Sequence, residues 1–91
     1  MEWQIDVSTQ ALRTLVKLRI QAIRDILQFL FKLRGMDDPR QLGKALKGGR
    51  LGSYWRYRVG DYRLIADIQD AKITVVIVHI GKRDEVYKDK S

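Results

Sequence analysis

The fold of this chain depends most on residues 54–87, which read YWRYRVGDYRLIADIQDAKITVVIVHIGKRDEVY. Successive side chains of a strand point to opposite faces of a sheet, so alternating apolar and polar residues predict a half-buried strand. This pattern predicts strands at residues 54–59 and 62–68, joined by a tight turn at Gly60-Asp61. The run at 73–80 is apolar on both faces, which predicts an interior strand that Gly81 ends. The C-terminal half is therefore predicted to be three antiparallel strands, the last two joined by a turn at 69–72.

The residues before this sheet predict one further strand and a helical region. Residues 2–7 alternate cleanly, as a half-buried strand does. Ser8 or Thr9 then supplies an N-cap oxygen, and Gly35 stands where a left-handed C-cap is usual. Apolar side chains between these caps follow helical spacing and predict the buried helix face: Leu12, Leu15, Val16, Ile23, Ile26, Leu27, Leu30 and Phe31.

The sequence leaves open whether residues 9–34 form one helix or two. No Gly, Pro, Asn or Asp stands at residues 18–21, where a helical hairpin would turn. A single helix of this length would exceed the usual globular range, which favours two helices. Residues 36–53 predict a loop, since Asp38-Pro39 is a turn signal and four glycines follow. Residues 1–91 are thus expected to form one α+β domain, with helices on one sheet face and the other face open for a ligand.

Composition excludes several classes of protein and site. The chain has 91 residues, of which 45% are hydrophobic and 32% charged, so it is neither disordered nor membranous. Without cysteine it has no disulfides or thiolate metal site, and its single histidine argues against an all-histidine site and a two-histidine acid–base pair. We expect no cofactor and no metal. The N-terminus does not resemble a signal peptide, and no apolar run is long enough to span a bilayer, which predicts a cytoplasmic protein.

Positive charge is concentrated in the middle of the chain. The net charge is +7, and residues 40–63 contain seven cations against the single acid Asp61. A concentrated basic stretch attracts polyanions through its long-range field and counterion release. A chain that binds an acidic protein partner, or one that is basic without any such ligand, would have the same composition. The seven cations are Arg40, Lys44, Lys47, Arg50, Arg56, Arg58 and Arg63.

Strand alternation places Arg56, Arg58 and Arg63 on one predicted surface, with Arg83 and Tyr87 following the last strand. Such a cluster could cleave RNA by attack of a ribose 2′-hydroxyl on its own phosphate. Arginines can clamp the phosphate, and a tyrosine among cations is a conceivable base. Taken singly, strand arginines are more often solvated surface, and Tyr87 could simply pack the tail. His79, on an apolar strand, is predicted to pack rather than to catalyse.

Three segments resemble those of a RelE-type toxin of the RelE/ParE superfamily: PRQLGKAL at 39–46, WRYRVGDYR at 55–63 and IGKRDEVY at 80–87. The resemblance extends from Glu2 to Lys88 in the same order of elements. It implies the RelE-like microbial RNase fold and a type II toxin, a metal-independent mRNA interferase that cleaves mRNA in the ribosomal A site. It also implies a cognate RelB-like antitoxin, the ribosome and mRNA as partners, and no association with a membrane.

The resemblance also implies roles for particular residues. Arg63 corresponds to the arginine expected to stabilise the transition state, Arg83 to a candidate on the leaving-group side, and Tyr87 to the candidate base. Arg56 and Arg58 fall where the family has strand lysines, and arginine there keeps the charge but weakens any proton transfer. The cations expected to contact RNA or the ribosome are Lys44, Lys47, Arg50 and Lys82.

Two alternatives and one structural question stay open. A ParE-like gyrase inhibitor would share the fold without being a nuclease, although the set of Arg63, Arg83 and Tyr87 argues against it. A non-catalytic RNA-binding or antitoxin-binding module would use the basic face only to dock. Relatives usually carry a polar turn between the two helices; if that turn fails at residues 18–21, the helices could fuse and exchange between subunits as a swapped dimer.

Overall fold

The computed structural model describes residues 2–46 and 54–82. The elements are β1 (Gln4–Val7), α1 (Thr9–Leu15), α2 (Ile20–Arg34), β2 (Lys44–Ala45), β3 (Tyr54–Val59), β4 (Tyr62–Gln69) and β5 (Thr74–Lys82), with short 3-10 helices at Pro39–Leu42 and Asp70–Lys72. The two helices pack on a mixed five-stranded sheet with strand order β1-β5-β4-β3-β2. Strand β1 runs parallel to β5, and every other neighbouring pair is antiparallel.

The predicted α+β class is confirmed, with an N-terminal strand, a helical pair and three antiparallel strands. The two-helix alternative is also confirmed, because residues 16–19 separate α1 from α2. Ser8 is the N-cap of α1, and its hydroxyl accepts a hydrogen bond from the Ala11 amide at 3.1 Å. The fused helix that would allow a swapped dimer is therefore absent from the described residues.

The C-cap of α2 differs from the prediction. Gly35 does end the helix, but its φ of −90° is not left-handed. The amide of Gly35 donates to the Lys32 carbonyl and that of Met36 to the Leu33 carbonyl, at 3.2 and 3.1 Å. These i to i−3 bonds tighten the last turn into 3-10 geometry, which satisfies the final carbonyls without a positive φ.

Two other boundaries differ from the prediction in the same direction, toward more sheet. Part of the segment predicted as loop forms β2, in which Lys44 pairs with Arg56 and Ala45 with Trp55. Strand β5 does not end at Gly81, because that residue pairs with Arg63 and the ladder continues to Lys82. A sheet ladder tolerates glycine when a neighbouring strand satisfies its backbone groups, so Gly81 weakens the strand without ending it.

The core lies between the helices and one face of the sheet. Alternate residues of β4 and β5 are buried there with residues of both helices, as the apolar periodicity predicts. Within the described residues, no helix is long and apolar enough to cross a membrane. The buried apolar residues of this cluster include Ala11, Leu15, Ile26, Leu30, Leu33, Tyr57, Leu64, Ala66, Val75, Ile77 and Ile80.

Candidate functional site

Basic side chains gather on the sheet face opposite the helices. Lys44 of β2 pairs with Arg56 of β3, and Arg58 of β3 pairs with Arg63 of β4. Directly paired residues project from the same side of a sheet, with Cβ atoms about 5 Å apart. We call this surface the arginine face; its described basic residues are Lys44, Arg56, Arg58, Arg63 and His79.

Exposure differs sharply among the arginines of this face. Arg58 is exposed and Arg56 is half-buried, whereas Arg63 is only 2% exposed. The prediction that all three line an open surface is therefore wrong for Arg63. A guanidinium this deep requires compensating interactions, and both Arg56 and Arg63 take part in non-covalent interactions within the molecule. Arg58 is the arginine of this face that is most accessible to a ligand.

Lys82, predicted to contact RNA, lies on the opposite side of the sheet. It pairs with Tyr62, which packs against the core beneath the helices. Together with Arg19 and Asp25 of the helical layer, Lys82 lines a groove of about 840 Å³. It is therefore not a neighbour of Arg58. The other predicted site residues, Lys47, Arg50, Arg83 and Tyr87, lie outside the described residues.

A β-bulge in β5 turns His79 toward the arginine face. Ile77 pairs with Ala66, but the next residue of β4 toward its N-terminus, Ile65, pairs with His79. Val78 is thus an extra residue that shifts the alternation by one position. His79 shares the face of Ile65 and is half-buried. His79 therefore lies outside the core, where Ile80 takes the buried position, and its predicted packing role stays a prediction.

Ser8 fixes the backbone at this bulge. Its amide donates to the Ile77 carbonyl at 2.8 Å and its hydroxyl to the Val78 carbonyl at 3.2 Å. The same hydroxyl caps α1 through the Ala11 amide. One serine therefore joins the start of the first helix to the irregular part of β5.

A second cluster holds the segment that leads into β2. The hydroxyl of Tyr57 donates to the Pro39 carbonyl at 2.7 Å, and burial raises the pKa of this phenol to about 12. Arg40 donates to Asp70 at 2.6 Å, and its guanidinium lies 5.8 Å from the centre of the Trp55 ring. The hydrogen bond to Asp70 raises the pKa of Arg40 and lowers that of Asp70. Lys44 is thus carried by a segment anchored to β3 and to the 69–73 turn.

Sequence reasoning missed this anchoring role of Arg40, which entered only as one of seven central cations. The aspartate that follows β4 was the signal, but its pairing with Arg40 spans 30 residues and depends on the fold. Tyr57 is fully buried, and Trp55 is partly buried against the core. In the described part of the chain, no three His, Cys, Asp or Glu side chains are grouped so that they could hold a metal ion.

Comparison with known proteins gives the family. Residues 5–87 match the family model for the ParE toxin of the parDE type II toxin–antitoxin system. The chain is 31% identical over 88 residues to toxin RelG of Mycobacterium tuberculosis, covering 97% of this chain and 99% of RelG. Its fold is similar to a chain of the RelBE2 toxin–antitoxin complex of M. tuberculosis, with a TM-score of 0.81 and 31% identity over 91% of this chain and 100% of that one.

An archaeal RelE–RelB complex from Pyrococcus horikoshii is also similar, with a TM-score of 0.75 and 25% identity over 91% of this chain and 97% of that one. The family model carries the ParE name, whereas the similar proteins carry RelE-type names, and both belong to one superfamily. The matched residues include the arginine face and both helices. The chain therefore belongs to the ParE toxin family and is a type II toxin of the RelE/ParE superfamily.

Proposed function

We propose that this toxin is a RelE-type, ribosome-dependent endoribonuclease that cleaves mRNA in the A site, and that it acts in the cytoplasm. The observation that supports this most directly is the strand register, in which Arg58 neighbours Arg63 and Lys44 neighbours Arg56 on one face. Two adjacent cation pairs give this face a concentrated positive charge, which attracts the phosphate backbone of RNA. The similarity to toxin RelG adds support.

The proposed reaction needs no metal and no cofactor. The 2′-oxygen attacks the adjacent phosphorus as Tyr87 removes its proton, and the bond to the 5′-oxygen breaks. Arg56, Arg58 and Arg63 neutralise the charge that develops on the phosphorane, and Arg83 hydrogen-bonds the leaving oxygen. Arg63 is buried, so a phosphate reaches its guanidinium only after local rearrangement. The ribosome supplies substrate geometry, since an open sheet face has few positioning groups.

Lys44 extends this face away from the proposed cleavage point. It is exposed at the outer edge of the sheet, beside Arg56. With Lys47, Arg50 and Lys82 it is proposed to contact ribosomal RNA or mRNA. Lys82 faces the other side of the sheet, so its contact would belong to a different part of the ribosome than the contact of Lys44.

The first test is induced expression in a bacterial host with mapping of mRNA 5′ ends. We expect cuts confined to translated regions and in frame with codons. Arg58→Gln and Tyr87→Phe should each reduce cleavage about 100-fold, the scale of removing one transition-state donor or one general base. Arg24→Gln makes the same chemical change as Arg58→Gln at an exposed position of α2 and should leave cleavage unchanged.

A ParE-like gyrase inhibitor is the second candidate, because the matching family model describes ParE toxins. It predicts growth arrest with intact mRNA and inhibition of DNA supercoiling by purified toxin. Intact mRNA together with gyrase inhibition would refute the nuclease. Efficient cleavage of naked RNA would contradict ribosome dependence but not nuclease activity, and cleavage-independent RNA binding would favour a docking module.

We also propose that a RelB-like antitoxin binds a groove beside α2. The groove has a volume of about 630 Å³ and lies between α2 and β1, the strand at one end of the sheet. Leu27 and Phe31 border it with 50% and 74% of their surface exposed. Exposed apolar side chains next to the outermost strand, which pairs on one side only within the described residues, suit a segment that adds apolar contacts and backbone hydrogen bonds. Similar toxins form complexes with RelB antitoxins.

The groove is tested by co-purification of tagged toxin with the antitoxin encoded beside it. Phe31→Asp should weaken the complex by about 100-fold or more, as expected for a central aromatic contact. Gln28→Asp introduces the same charge on an exposed position of α2 that does not border the groove, and should have little effect. Equal affinities of the two variants would place the antitoxin elsewhere.

A further inference from the structure

We propose that His79 is a catalytic residue of this toxin and protonates the leaving 5′-oxygen. The inference rests on the proposed ribonuclease function and supplies a group that it lacks. Arginine is a poor proton donor because its guanidinium stays charged across the physiological range. Histidine is the side chain suited to give up a proton near neutral pH. The arginine face therefore has charge to stabilise the phosphorane, and His79 is the described basic residue nearest Arg63 that can act as a general acid, since Lys44 lies at the outer edge of the sheet.

The bulge is the first observation behind this assignment. With regular alternation His79 would share the face of Ile77 and enter the core. The extra residue, Val78, places it beside Ile65 instead. Arg63 lies two residues before Ile65 on β4, so Arg63 and His79 are diagonal neighbours on one face, about 7–8 Å apart at the backbone. A phosphate bound at this point can contact the half-buried His79 directly, and it can reach Arg63 after the local rearrangement that the burial of Arg63 requires. Bulges of this kind commonly re-aim a side chain at a functional site.

The second observation is that hydrogen bonds from Ser8 hold the bulge in place. Ser8 binds the two carbonyls on either side of the irregularity, Ile77 and Val78, and caps α1 with the same hydroxyl. These hydrogen bonds fix the backbone on both sides of Val78 and so hold His79 on the arginine face. Ser8 is therefore assigned as a positioning residue that acts through His79.

Both signs of charge are present around the imidazole. Asp67 of β4, diagonal to His79 on the side away from Arg63, contributes a carboxylate to the same face. Strand β1 contributes Asp6 through its pairing with Val76. The described charged groups that share this face with His79 are Lys44 of β2, Arg56 and Arg58 of β3, Arg63 and Asp67 of β4, and Asp6 of β1.

The proposed step balances without any further reactant. The bond from the 2′-oxygen to phosphorus forms and the bond from phosphorus to the 5′-oxygen breaks. The 2′-hydroxyl proton goes to the base, and the imidazolium of His79 gives its proton to the departing 5′-oxygen. The products are a 2′,3′-cyclic phosphate and a 5′-hydroxyl, and both side chains regain their starting protonation by exchange with water.

Single-turnover cleavage on ribosomes loaded with two mRNAs tests this step. One mRNA is natural; in the other, sulfur replaces the bridging 5′-oxygen of the scissile phosphate. A thiolate leaves without a proton, so a missing general acid affects only the oxygen substrate. We expect His79→Gln to slow the natural mRNA by about 100-fold or more and to cleave the sulfur mRNA at a rate close to that of the unaltered toxin. The pH dependence of the oxygen reaction should also lose the limb that the acid contributes.

Ser8 and a surface lysine provide matched controls. Ser8→Thr keeps the hydroxyl and should retain most activity, whereas Ser8→Ala should show a smaller form of the same oxygen-specific loss. Lys72→Gln, in the exposed turn between β4 and β5, should change neither reaction. Antitoxin binding by each variant, compared with the unaltered toxin, confirms that the fold is preserved.

Three outcomes overturn the proposal. Equal rates for His79→Gln and the unaltered toxin on natural mRNA would show that the residue is not needed. Equal slowing on both mRNAs would reduce His79 to a binding or packing contact. Failure of the unaltered toxin itself to cleave mRNA on ribosomes would refute the proposed function, and with it this step. The reaction with the unaltered toxin therefore distinguishes failure of the proposed function from failure of the role assigned to His79.

Discussion

Gly43 gives the sharpest test of how the segment before β2 is held against β3. A Cβ atom at this position would lie 2.9 Å from Cε1 and 3.1 Å from Cδ1 of Tyr57, and 3.0 Å from the Arg56 carbonyl oxygen. Its backbone, with φ −120° and ψ −179°, is ordinary extended geometry that alanine adopts freely. Glycine is therefore required here for close approach and not for conformation.

We expect Gly43→Ala to destabilise the toxin by about 1–2 kcal/mol. Overpacking a fixed site costs about 1–3 kcal/mol, and the lower entropy of the unfolded alanine chain offsets about 0.4–1 kcal/mol of this. The ring of Tyr57 cannot easily move aside, because its hydroxyl binds Pro39 and its edge packs on Phe29 with ring centres 5.2 Å apart. Lys44 follows directly, so displacement of Gly43 should also weaken the RNA contact proposed for Lys44.

Two other glycines make the comparison quantitative. Gly35→Ala finds no atom nearer than 3.9 Å and has a negative φ, so it should be neutral or stabilising by up to about 1 kcal/mol. Gly60→Ala has open space but a φ of +57°, so strain alone should cost about 1 kcal/mol. Urea unfolding followed by tryptophan fluorescence separates the three, since about 1 kcal/mol moves the midpoint by about 1 M at this chain length.

A double-mutant cycle checks the cause of the Gly43 effect. When Tyr57→Phe releases the ring from Pro39, the ring can shift, and Gly43→Ala should then cost at least about 0.5 kcal/mol less. Equal stability of Gly43→Ala and Gly35→Ala would refute the close approach of this segment to β3. Strict additivity with Tyr57→Phe would show that the tethered ring is not what opposes the new methyl group.

Further predictions concern the two titratable anchors. Tyr57→Phe leaves the Pro39 carbonyl without its donor and should cost about 1–3 kcal/mol in urea titrations at neutral pH. Burial raises the pKa of Tyr57 from 10.0 to about 12, so the folded protein keeps the phenol neutral to a higher pH than the unfolded chain does. The contribution of Tyr57 to stability is complete below pH 10 and is lost as the pH rises toward 12. Tyr57→Phe should reduce this loss of stability. Arg40 lowers the pKa of Asp70 below 3.8, so their pairing stabilises the fold above that pH and is lost in acid. Asp70→Asn should therefore be slightly less stable than the unaltered toxin at pH 7. Once Asp70 is fully protonated, the two proteins should be equally stable. A gap between these two proteins that persisted in strong acid would contradict the ion pair.

Most of the fold could be predicted because its elements carry strong local signals. The strands at Tyr54–Val59 and Tyr62–Gln69 alternate in polarity, and Gly60 adopts the positive φ that their turn requires. Ser8 stands immediately before a helical period and caps it. These signals depend on neighbours within a few residues, which is the range over which propensity and capping act.

The helical pattern predicted a buried face that is only partly buried. Of its eight apolar residues, Leu15, Ile26 and Leu30 enter the core and Ile23 packs against it. The other four, Leu12, Val16, Leu27 and Phe31, remain between 47% and 74% exposed. Periodicity shows which side chains share a face and cannot show whether that face meets the same chain or a partner. The exposed apolar surface of Leu27 and Phe31 on α2 is what a toxin that binds an antitoxin would require.

The features that the sequence could not predict are those that create the candidate site. Strand β5 is apolar on both faces, so a one-residue shift at Val78 leaves no mark on its pattern, and His79 looked like core. β2 is two residues long and lies among glycines, so turn signals outweighed the pairing that brings Lys44 beside Arg56. Both depend on contacts distant in sequence: Ser8 with Val78, and Tyr57 with Pro39. Strand alternation orients Arg56, Arg58 and Arg63, whereas His79 and Lys44 join the same face through long-range hydrogen bonds. Substitutions at Ser8 or Gly43, neither of them charged, should for this reason alter the proposed RNA cleavage.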